Sequence, residues 1–258
     1  MYRKMLSSLF SIGALVMFAA NANATVLVNE TFEHADGALN GKTPTPGPGG
    51  AWTDHSGTAN QVTVTSGTIS LTDSDSEDVN TDLGSVYTSG TLYYGFDFSV
   101  AASPSTSPSD FEYFAHFKDD GTDFTSRMDI VAAGASGDYS VGIAGSQSVA
   151  DATWGTNLSF GSTYRAVVEF DFGTGVSKLW IDPSEASDTN ISSAADNVPD
   201  LSAFAFRQSG SQMNETITVD NLIVATTFDE VASVPEPTSF VLAGLGLFGL
   251  FAVRRRRK

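Results

Sequence analysis

Two stretches of alternating apolar residues constrain the fold of this chain more than any other feature. Every second side chain is apolar in residues 92–100, and residues 164–172 repeat the pattern. Successive side chains of a β-strand point to opposite faces, so a period of two predicts strands with one face in a core and the other towards solvent. The apolar sets are Leu92, Tyr94, Phe96, Phe98, Val100 and Tyr164, Ala166, Val168, Phe170, Phe172.

Shorter runs of strand-forming residues fill most of the remaining middle of the chain. Ser66-Gly67 and Gly173-Thr174-Gly175 are typical of hairpin turns. No 11-residue window before the C-terminal tail has helical periodicity. The fold class is therefore predicted to be all-β, with about a dozen antiparallel strands in a two-sheet sandwich. The shorter runs are Thr25–Glu30, Gln61–Thr65, Thr68–Thr72, Phe111–Phe117, Phe124–Ala132, Tyr139–Ala144, Val176–Asp182, Leu201–Arg207 and Glu215–Thr226.

Charge is distributed very unevenly along the chain. Two basic residues precede residue 25 and five follow residue 253, which leaves six against 30 acidic residues between them. The net charge of this middle part is therefore −24, compared with −17 for the whole chain. Such a field repels nucleic acid and favours cations, and it opposes an acidic polysaccharide unless cations bridge the two. The absence of cysteine excludes disulfides, thiol catalysis and Cys-based metal sites.

The N-terminus has the pattern of a secretory signal peptide. Arg3 and Lys4 precede a mostly apolar stretch over residues 5–20, and Ala22-Asn23-Ala24 forms an A-x-A cleavage site. We expect residues 1–24 to be the signal peptide, residues 25–230 to be one β-sandwich domain and residues 231–258 to be a C-terminal sorting segment. An uncleaved N-terminal membrane anchor is the alternative.

The C-terminal tail combines three features in order. Val234, Pro235, Glu236 and Pro237 come first, residues 240–253 carry no charge, and a cluster of basic residues follows. As a helix the apolar part spans about 21 Å, which is short of the roughly 30 Å hydrocarbon core. The cations favour the cytoplasmic side, so we expect a transmembrane helix in the inner membrane with the domain outside. A buried core helix is the alternative. The membrane-stop residues are Arg254, Arg255, Arg256 and Arg257.

This order of features resembles the PEP-CTERM sorting signal of Gram-negative bacteria. The resemblance covers about the last 24 residues. It implies that an exosortase recognises the tail, cleaves near Pro235-Glu236-Pro237 and delivers the protein to the cell surface or the extracellular matrix. The inner-membrane anchor would therefore be transient.

A second resemblance covers the domain. The segments Asn29-Glu30-Thr31-Phe32-Glu33, Lys178-Leu179-Trp180-Ile181-Asp182-Pro183 and the run from Val219 to Phe228 are similar to parts of concanavalin A-like, LamG-type domains in bacterial surface proteins. This implies a jelly roll whose first and last strands pair. A fold alone implies no activity.

Two pairs of acids have the spacing of glycosidase carboxylates. Glu169 and Asp171, like Asp110 and Glu112, lie two residues apart and so share one face of a strand. Two carboxylates beside a glycosidic bond are the usual requirement for its hydrolysis. The third acid of the E-x-D-x-x-E pattern is missing after Asp171, so outward polar residues of a strand are the competing interpretation.

Two acidic loops are candidates for calcium ions, because calcium takes six to eight oxygen ligands. Neither loop follows the EF-hand pattern, and a solvated loop is the alternative for each. The candidate ligands are Asp73, Asp75, Glu77 and Asp78 in the first loop, and Asp119, Asp120 and Asp123 in the second.

Among the remaining polar and aromatic residues, His34, His55 and His116 lack partners at zinc-site spacing and are predicted to be surface or loop residues. Trp180 and Tyr93 are candidates for stacking on sugar rings, with Trp180 pointing away from the core, whereas packing in the core is the alternative for the tryptophans.

These features together predict an exported, non-catalytic surface or matrix protein. We expect it to be processed by an exosortase and to associate with exopolysaccharide or biofilm through a lectin-like β-sandwich, with calcium as the one candidate cofactor. The alternative is a secreted glycan-cleaving enzyme on the same fold.

Overall fold

The computed structural model describes residues 24–101, 111–133, 137–208 and 216–233. This part of the chain contains sixteen strands and one short helix, more strands than the dozen predicted. They are β1 (Val26–Glu30), β2 (Gly37–Ala38), β3 (Thr53–Ser56), β4 (Thr63–Thr65), β5 (Thr68–Thr72), β6 (Asp78–Tyr87), β7 (Thr91–Val100), β8 (Phe111–Lys118), β9 (Phe124–Ala132), β10 (Tyr139–Ala144), β11 (Ala152–Thr153), β12 (Tyr164–Asp171), β13 (Val176–Ile181), β14 (Ile191–Ser192), β15 (Leu201–Arg207), β16 (Thr216–Ala225) and α1 (Phe228–Ala232).

The strands form two antiparallel sheets. The nine-stranded sheet has the order β14-β13-β12-β7-β16-β5-β4-β2, with β1 also paired to β16. The seven-stranded sheet has the order β11-β10-β9-β8-β15-β6-β3. Strands that are distant in sequence are often adjacent within a sheet, as β7 and β16 show, and this is the connectivity of a jelly roll. The predicted two-sheet, all-β jelly roll is confirmed.

The alternating stretches lie side by side in the nine-stranded sheet. Tyr164 pairs with Phe98 and Phe170 pairs with Leu92, so β12 and β7 present their apolar sides to the same core. That core contains all five predicted side chains of β7 and faces the apolar side of the seven-stranded sheet, where Phe204 and Phe206 of β15 are fully buried. A fully buried Phe is worth about 1.5–3 kcal/mol relative to an exposed one, so this aromatic layer is the main stabilising element.

The first and last strands pair as the domain resemblance implies. Glu30 of β1 faces Leu222 of β16, and Thr226 donates its N–H to the carbonyl of Thr25 over 3.1 Å. The fully buried Glu30 carboxylate also accepts the indole N–H of Trp52 over 3.0 Å, so one acid holds the opening segment together.

Both predicted hairpin turns are present. Thr65 pairs with Thr68 across Ser66 and Gly67, which have φ of 51° and 81°. Positive φ at both central residues makes a type I′ turn, for which glycine is suited because it lacks a Cβ. Gly173-Thr174-Gly175 connects β12 to β13.

Five strands were not predicted from the sequence, namely β2, β3, β6, β11 and β14, and neither was the helix α1. It packs on the outside of the nine-stranded sheet, with Phe228 and Val231 buried. The packed region therefore continues to residue 232, two residues beyond the predicted domain boundary at residue 230.

The predicted signal peptide, except for Ala24, and the predicted transmembrane helix lie outside the described residues. Within the part of the chain that is described, no helix is both long and apolar enough to cross a membrane.

Candidate functional site

The helix α1 packs on the outer face of the nine-stranded sheet, opposite the core, over β16, β7 and β12. Trp180 is only 1% exposed, and its ring packs edge-on against Phe228 at 5.2 Å between centroids. Tyr93 is half-buried against the same ring at 6.2 Å. Trp180 does point away from the core, as its place in β13 suggested, but α1 covers it. Neither aromatic side chain offers an open platform for a sugar ring in this arrangement.

Arg165 fixes the end of this helix. Its Nε and Nη2 donate to the carbonyl of Val231 over 3.0 and 2.7 Å. Its Nη1 donates to the carbonyl of Asn221 over 2.7 Å and to Asp97 over 3.2 Å. The Asn221 carbonyl is presented by a bulge in β16, where Asn221 has φ of 51°. All three guanidinium nitrogens of this buried arginine are thus used by the fold.

The acid pair Glu169 and Asp171 belongs to β12 of the same nine-stranded sheet. Glu169 forms a 2.7 Å ion pair with Lys178 of β13, and Asp171 accepts the N–H of Gly173 in the hairpin turn. Burial, and secondarily the charge of Glu169, raises the pKa of Tyr93 beside the pair. Of the other pair, Asp110 lies outside the described residues, and Glu112 forms an ion pair with Arg207.

The first candidate calcium loop uses its carboxylates to hold neighbouring segments. Glu77 is fully buried and accepts the backbone N–H groups of Asn60, at 2.8 Å, and of Val62. Asp75 accepts from the side chains of Gln61 and Thr72 at 3.0 and 3.1 Å, and Asp73 lies in the turn after β5. Asp78 begins β6.

The second candidate loop is a tight turn between β8 and β9. One oxygen of Asp119 accepts the N–H groups of Gly121 and Asp123, both at 2.9 Å, while Asp120 and Asp123 are exposed. The residues that the structure describes contain no group of three or more His, Asp or Glu placed to hold a metal ion. Calcium binding stays a prediction.

The outer face of the seven-stranded sheet differs sharply from its counterpart. Arg207 and Asp78 are register partners, as are Tyr113 and Asp129, so polar residues form a row across β6, β15, β8 and β9. We call this the polar face. Its members are Asp78, Glu112, Tyr113, His116, Phe124, Arg127, Asp129 and Arg207.

Aromatic rings and guanidinium groups are interleaved on the polar face. The guanidinium carbons of Arg127 and Arg207 lie 4.4 and 4.2 Å from the centroid of the Tyr113 ring. Arg127 also lies 5.4 Å from the ring of Phe124, which in turn is 4.6 Å from the ring of His116. Cation–π contacts at these distances hold the guanidinium planes against the rings.

Several buried polar atoms on this face have no hydrogen-bond partner among the described residues. They are both ring nitrogens of His116, both carboxylate oxygens of Asp129 and Nε of Arg127. An unsatisfied buried polar group costs about 1–3 kcal/mol, so a fold rarely retains several together without a further partner. His116 and Asp129 are fully buried, so ordered water is the partner that could reach them.

Burial also changes the protonation of these groups. It lowers the pKa of His116 well below its usual value, with the charge of Arg127 as the next cause, so the imidazole is neutral at pH 7. Burial and then the charge of Glu112 raise the pKa of Asp129, and burial raises that of Asp78 to about 6. The face therefore offers both neutral and charged hydrogen-bonding groups.

A cleft of about 430 Å³ opens at the edge of the polar face. Phe124 and Arg127 line it from β9, Ser146 lines it beyond β10, and Asn197 contributes from the loop before β15. This volume is in the range of small-molecule binding clefts. The aromatic ring, the guanidinium group and the polar side chains make it suitable for a polar ring-shaped ligand.

The histidine prediction was wrong for His116, which is fully buried on β8. His55 is half-buried on β3, and only His34 is a loop residue, 3.0 Å from Glu30. The sequence analysis also missed Arg127, Asp129 and Arg207. Their alternation with buried Met128, Ile130 and Phe206 is the signal that would have placed them on one outer face.

Comparison with known proteins identifies the C-terminal segment. The model of the PEP-CTERM protein-sorting motif matches residues 233–257. The chain carries a PEP-CTERM sorting motif. The match contains the predicted motif residues Val234–Pro237 and the cluster Arg254–Arg257, and it begins one residue after α1 ends. A chain with this motif is a secreted protein that is sorted to the cell surface through an exosortase.

The domain is similar to lectins among solved structures. Peanut lectin, solved with a nine-residue peptide, is 16% identical, with a TM-score of 0.49 over 80% of this chain and 98% of the lectin. Lectin II from Ulex europaeus is 12% identical, with a TM-score of 0.45 over 68% of this chain and 93% of the lectin. A sialidase is 14% identical, with a TM-score of 0.47 over 78% of this chain but 19% of its own. No curated protein matches the chain.

Proposed function

We propose that this protein is a non-catalytic component of the cell surface or extracellular matrix that associates with exopolysaccharide through its polar face. An exosortase processes it in a Gram-negative bacterium, after a period in which the C-terminal segment holds it in the inner membrane. The support for the delivery route is the PEP-CTERM motif at residues 233–257.

The observation that carries the binding role is the cleft at the edge of the polar face, which is lined by Phe124, Arg127, Ser146 and Asn197. Polysaccharides present many hydroxyl groups, each of which both donates and accepts a hydrogen bond. Ser146, Asn197 and Arg127 line the cleft with groups that can bond to these hydroxyls. The ring of Phe124 beside the cleft supplies an apolar surface of the kind on which a sugar ring packs.

The binding role is tested with the exported protein, purified from the cells that produce it, and with the polysaccharide of the same cells. We expect the immobilised polysaccharide to retain the protein, and the double change Phe124→Ala and Asn197→Ala, both in the cleft lining, to reduce retention at least tenfold. Circular dichroism of the variant checks that it is folded. An absence of retention both with calcium and with a chelator would remove the carbohydrate role.

Calcium is included in this experiment because the candidate loops and the strongly acidic domain favour cations. If calcium bridges the protein to an acidic polymer, the chelator should release the protein. Changing Asp119 and Asp120 to Asn together should then abolish the calcium effect and leave calcium-independent retention unchanged, because neither residue lines the cleft. Retention that is identical with calcium and with chelator would argue against a calcium cofactor.

The sorting role is tested by changing Arg254–Arg257 to Gln in the full-length chain. The apolar segment should then lose its membrane stop, and we expect less retained and less trimmed protein on immunoblots of cell fractions. Changing Lys42 to Gln, in the domain, is the matched control. Unchanged retention, trimming and release in the arginine variant would show that these cations are not the stop.

The second candidate function is glycan cleavage, and Asp129 is the observation that favours it. A buried carboxyl group with a raised pKa, near a second carboxylate such as Glu112, is what a general acid in glycoside hydrolysis requires. Incubation with the producer's polysaccharide should then release reducing ends, and Asp129→Asn should stop that release without abolishing binding. If no reducing ends form while binding is intact, the enzyme alternative fails.

A further inference from the structure

Arg127 is an exception among the arginines of the domain. Arg165 pairs with Asp97, and Arg207 pairs with Glu112. Arg127 forms no ion pair or hydrogen bond with any described residue, and its Nε is buried without a partner. The sequence between residues 25 and 253 holds 30 acids for six bases, so acidic partners are not scarce. An unpaired arginine in such a chain needs an explanation.

The surroundings of Arg127 hold its guanidinium group in place without a contact ion pair. The charges of Asp129 and Asp196 act on it from a distance, and burial lowers its pKa. Two aromatic rings, those of Tyr113 and Phe124, contact it through cation–π interactions at 4.4 and 5.4 Å. Such contacts leave the N–H edge of the planar group open for hydrogen bonds. A guanidinium edge matches a carboxylate, because two parallel N–H groups can donate to its two oxygens.

The cleft around Arg127 limits what can carry that carboxylate. Ser146 and Asn197 line it and supply groups that bond to hydroxyls, and Phe124 supplies a ring face. Extending the proposed function, we propose that this cleft binds a carboxylate-bearing sugar, a hexuronate unit of an acidic polysaccharide. The N–H edge of Arg127 donates to the carboxylate, and the polar lining contacts the ring hydroxyls.

The acidic character of the domain sets the conditions for this binding. Long-range repulsion between a domain of such charge and an acidic polymer is strong at low ionic strength, whereas contact with Arg127 acts at short range. Salt screens charges beyond about 10 Å at 0.1 M. Affinity should therefore rise as salt is added from very low concentration, and short oligomers should bind better than long polymers per binding unit.

Asp123 allows the proposed charge interaction to be tested in the opposite direction. It lines the same cleft and is exposed, so its carboxylate repels the carboxylate of a bound hexuronate. Removing the charge of Asp123 should strengthen binding, whereas removing the charge of Arg127 should weaken it. Because Asp123 lies in an exposed turn, its substitution by Asn should leave the fold intact.

The experiment measures binding of the exported protein to oligogalacturonate and to its methyl ester by calorimetry. The ester keeps the rings and removes the charge. We expect the acid form to bind at least tenfold more tightly than the ester, Arg127→Gln to lose at least tenfold for the acid form, and Asp123→Asn to gain about threefold. Lys42→Gln, which removes one positive charge outside the cleft, should stay within twofold.

Other outcomes separate this proposal from the proposed function. Equal affinity for acid and ester, or an unaffected Arg127→Gln variant, would overturn the hexuronate assignment, while retention on the producer's polysaccharide would still support the general binding role. Equal affinity for polyglutamate would show that charge without a sugar ring suffices, which also overturns it. Binding to none of these glycans, including the producer's own, would overturn both.

Discussion

The two outer faces of this sandwich use the same residue type in opposite ways. On the nine-stranded sheet, Arg165 donates to Asp97 and to two backbone carbonyls, and α1 covers the aromatic side chains beside it. On the seven-stranded sheet, Arg127 has no such acceptor among the described residues, and it lines an open cleft together with its aromatic neighbour Phe124. Both arginines alternate with core residues, so position in a strand does not distinguish them.

What distinguishes the faces is whether the chain supplies partners for its own polar atoms. A buried group that the fold satisfies contributes to stability, whereas a buried group left unsatisfied costs free energy unless something else binds there. The comparison therefore predicts that substitutions on the nine-stranded side mainly affect stability and that those on the polar face mainly affect binding.

The largest expected effect is on Arg165. Changing it to Gln breaks a buried ion pair and leaves the Val231 carbonyl without its donors, which should lower the free energy of unfolding by about 4 kcal/mol. The matched change Arg127→Gln should lower it by less than about 1 kcal/mol. Urea unfolding of both variants gives the two values. Equal losses would mean that the faces do not differ in the way proposed.

Phe228→Ala should have the next largest effect, because Phe228 is the main contact between α1 and Trp180. The expected loss is about 3 kcal/mol, the lower end of the range for truncating a buried Phe. The fluorescence of Trp180 should shift to longer wavelength as water reaches it. An unshifted spectrum with an unchanged midpoint of unfolding would show that α1 does not shield the sheet in solution.

Stability should also depend on pH through one carboxyl group on each face. Burial raises the pKa of Asp78 and of Asp220 from 3.8 to about 6. A raised pKa means that the folded state holds the proton more tightly than the unfolded chain does. The resulting contribution to the free energy of unfolding is present below about pH 4 and is lost as pH rises through 6. Each carboxyl group should contribute on the order of 2 kcal/mol to the free energy of unfolding at low pH.

The matched pair Asp78→Asn and Asp220→Asn tests this dependence. Each variant should flatten the part of the stability profile between pH 4 and 6 that its carboxyl group produces, as measured by urea unfolding at each pH. Arg207 and Glu112 face Asp78, so they contribute opposing charges that both variants leave in place. A profile unchanged in either variant would contradict the raised pKa of that group.

The smallest effect expected concerns the space under α1. A Cβ added at Gly95 would lie 2.7 Å from the Val231 carbonyl oxygen, so Gly95→Ala must displace the end of the helix. We expect a loss of about 1–2 kcal/mol by overpacking. Gly155→Ala is the control, since nothing lies within 4 Å of its added Cβ. Equal unfolding midpoints for the two would indicate that the helix end moves freely.

Local pattern was sufficient to predict eleven of the sixteen strands and the overall class, but it missed the ten-residue β6, whose start was interpreted as an acidic loop. Period two identified β7 and β12, and a Ser-Gly pair identified one hairpin, because both depend on neighbours in sequence. The helix α1 was missed because five residues are too few to show a period of 3.6. Thr227 followed by Phe228, Asp229 and Glu230, with acids in the first turn, was the available signal.

The candidate site depended on contacts that no local pattern contains. The ring of Tyr113 is shared by Arg127 and Arg207, which are 14 and 94 residues away in the chain. The burial of His116 likewise follows from strands that meet only in the folded sheet. For the same reason, the outward set of β12 was expected to face solvent, but α1 covers Val167 and Arg165.

The central place of β16 has a mechanical consequence. It is paired along its length with β7 on one side and with β5 and β1 on the other, and it leads through α1 to the sorting motif at residue 233. A force applied at residue 233 first acts on the hydrogen bonds between Arg165 and the end of α1. It then acts on all the hydrogen bonds that join β16 to its neighbouring strands at the same time. A cell tethered to polymer through this protein would thus strain the strongest direction of the sheet, and a pulling experiment from residue 233 should record one high-force rupture.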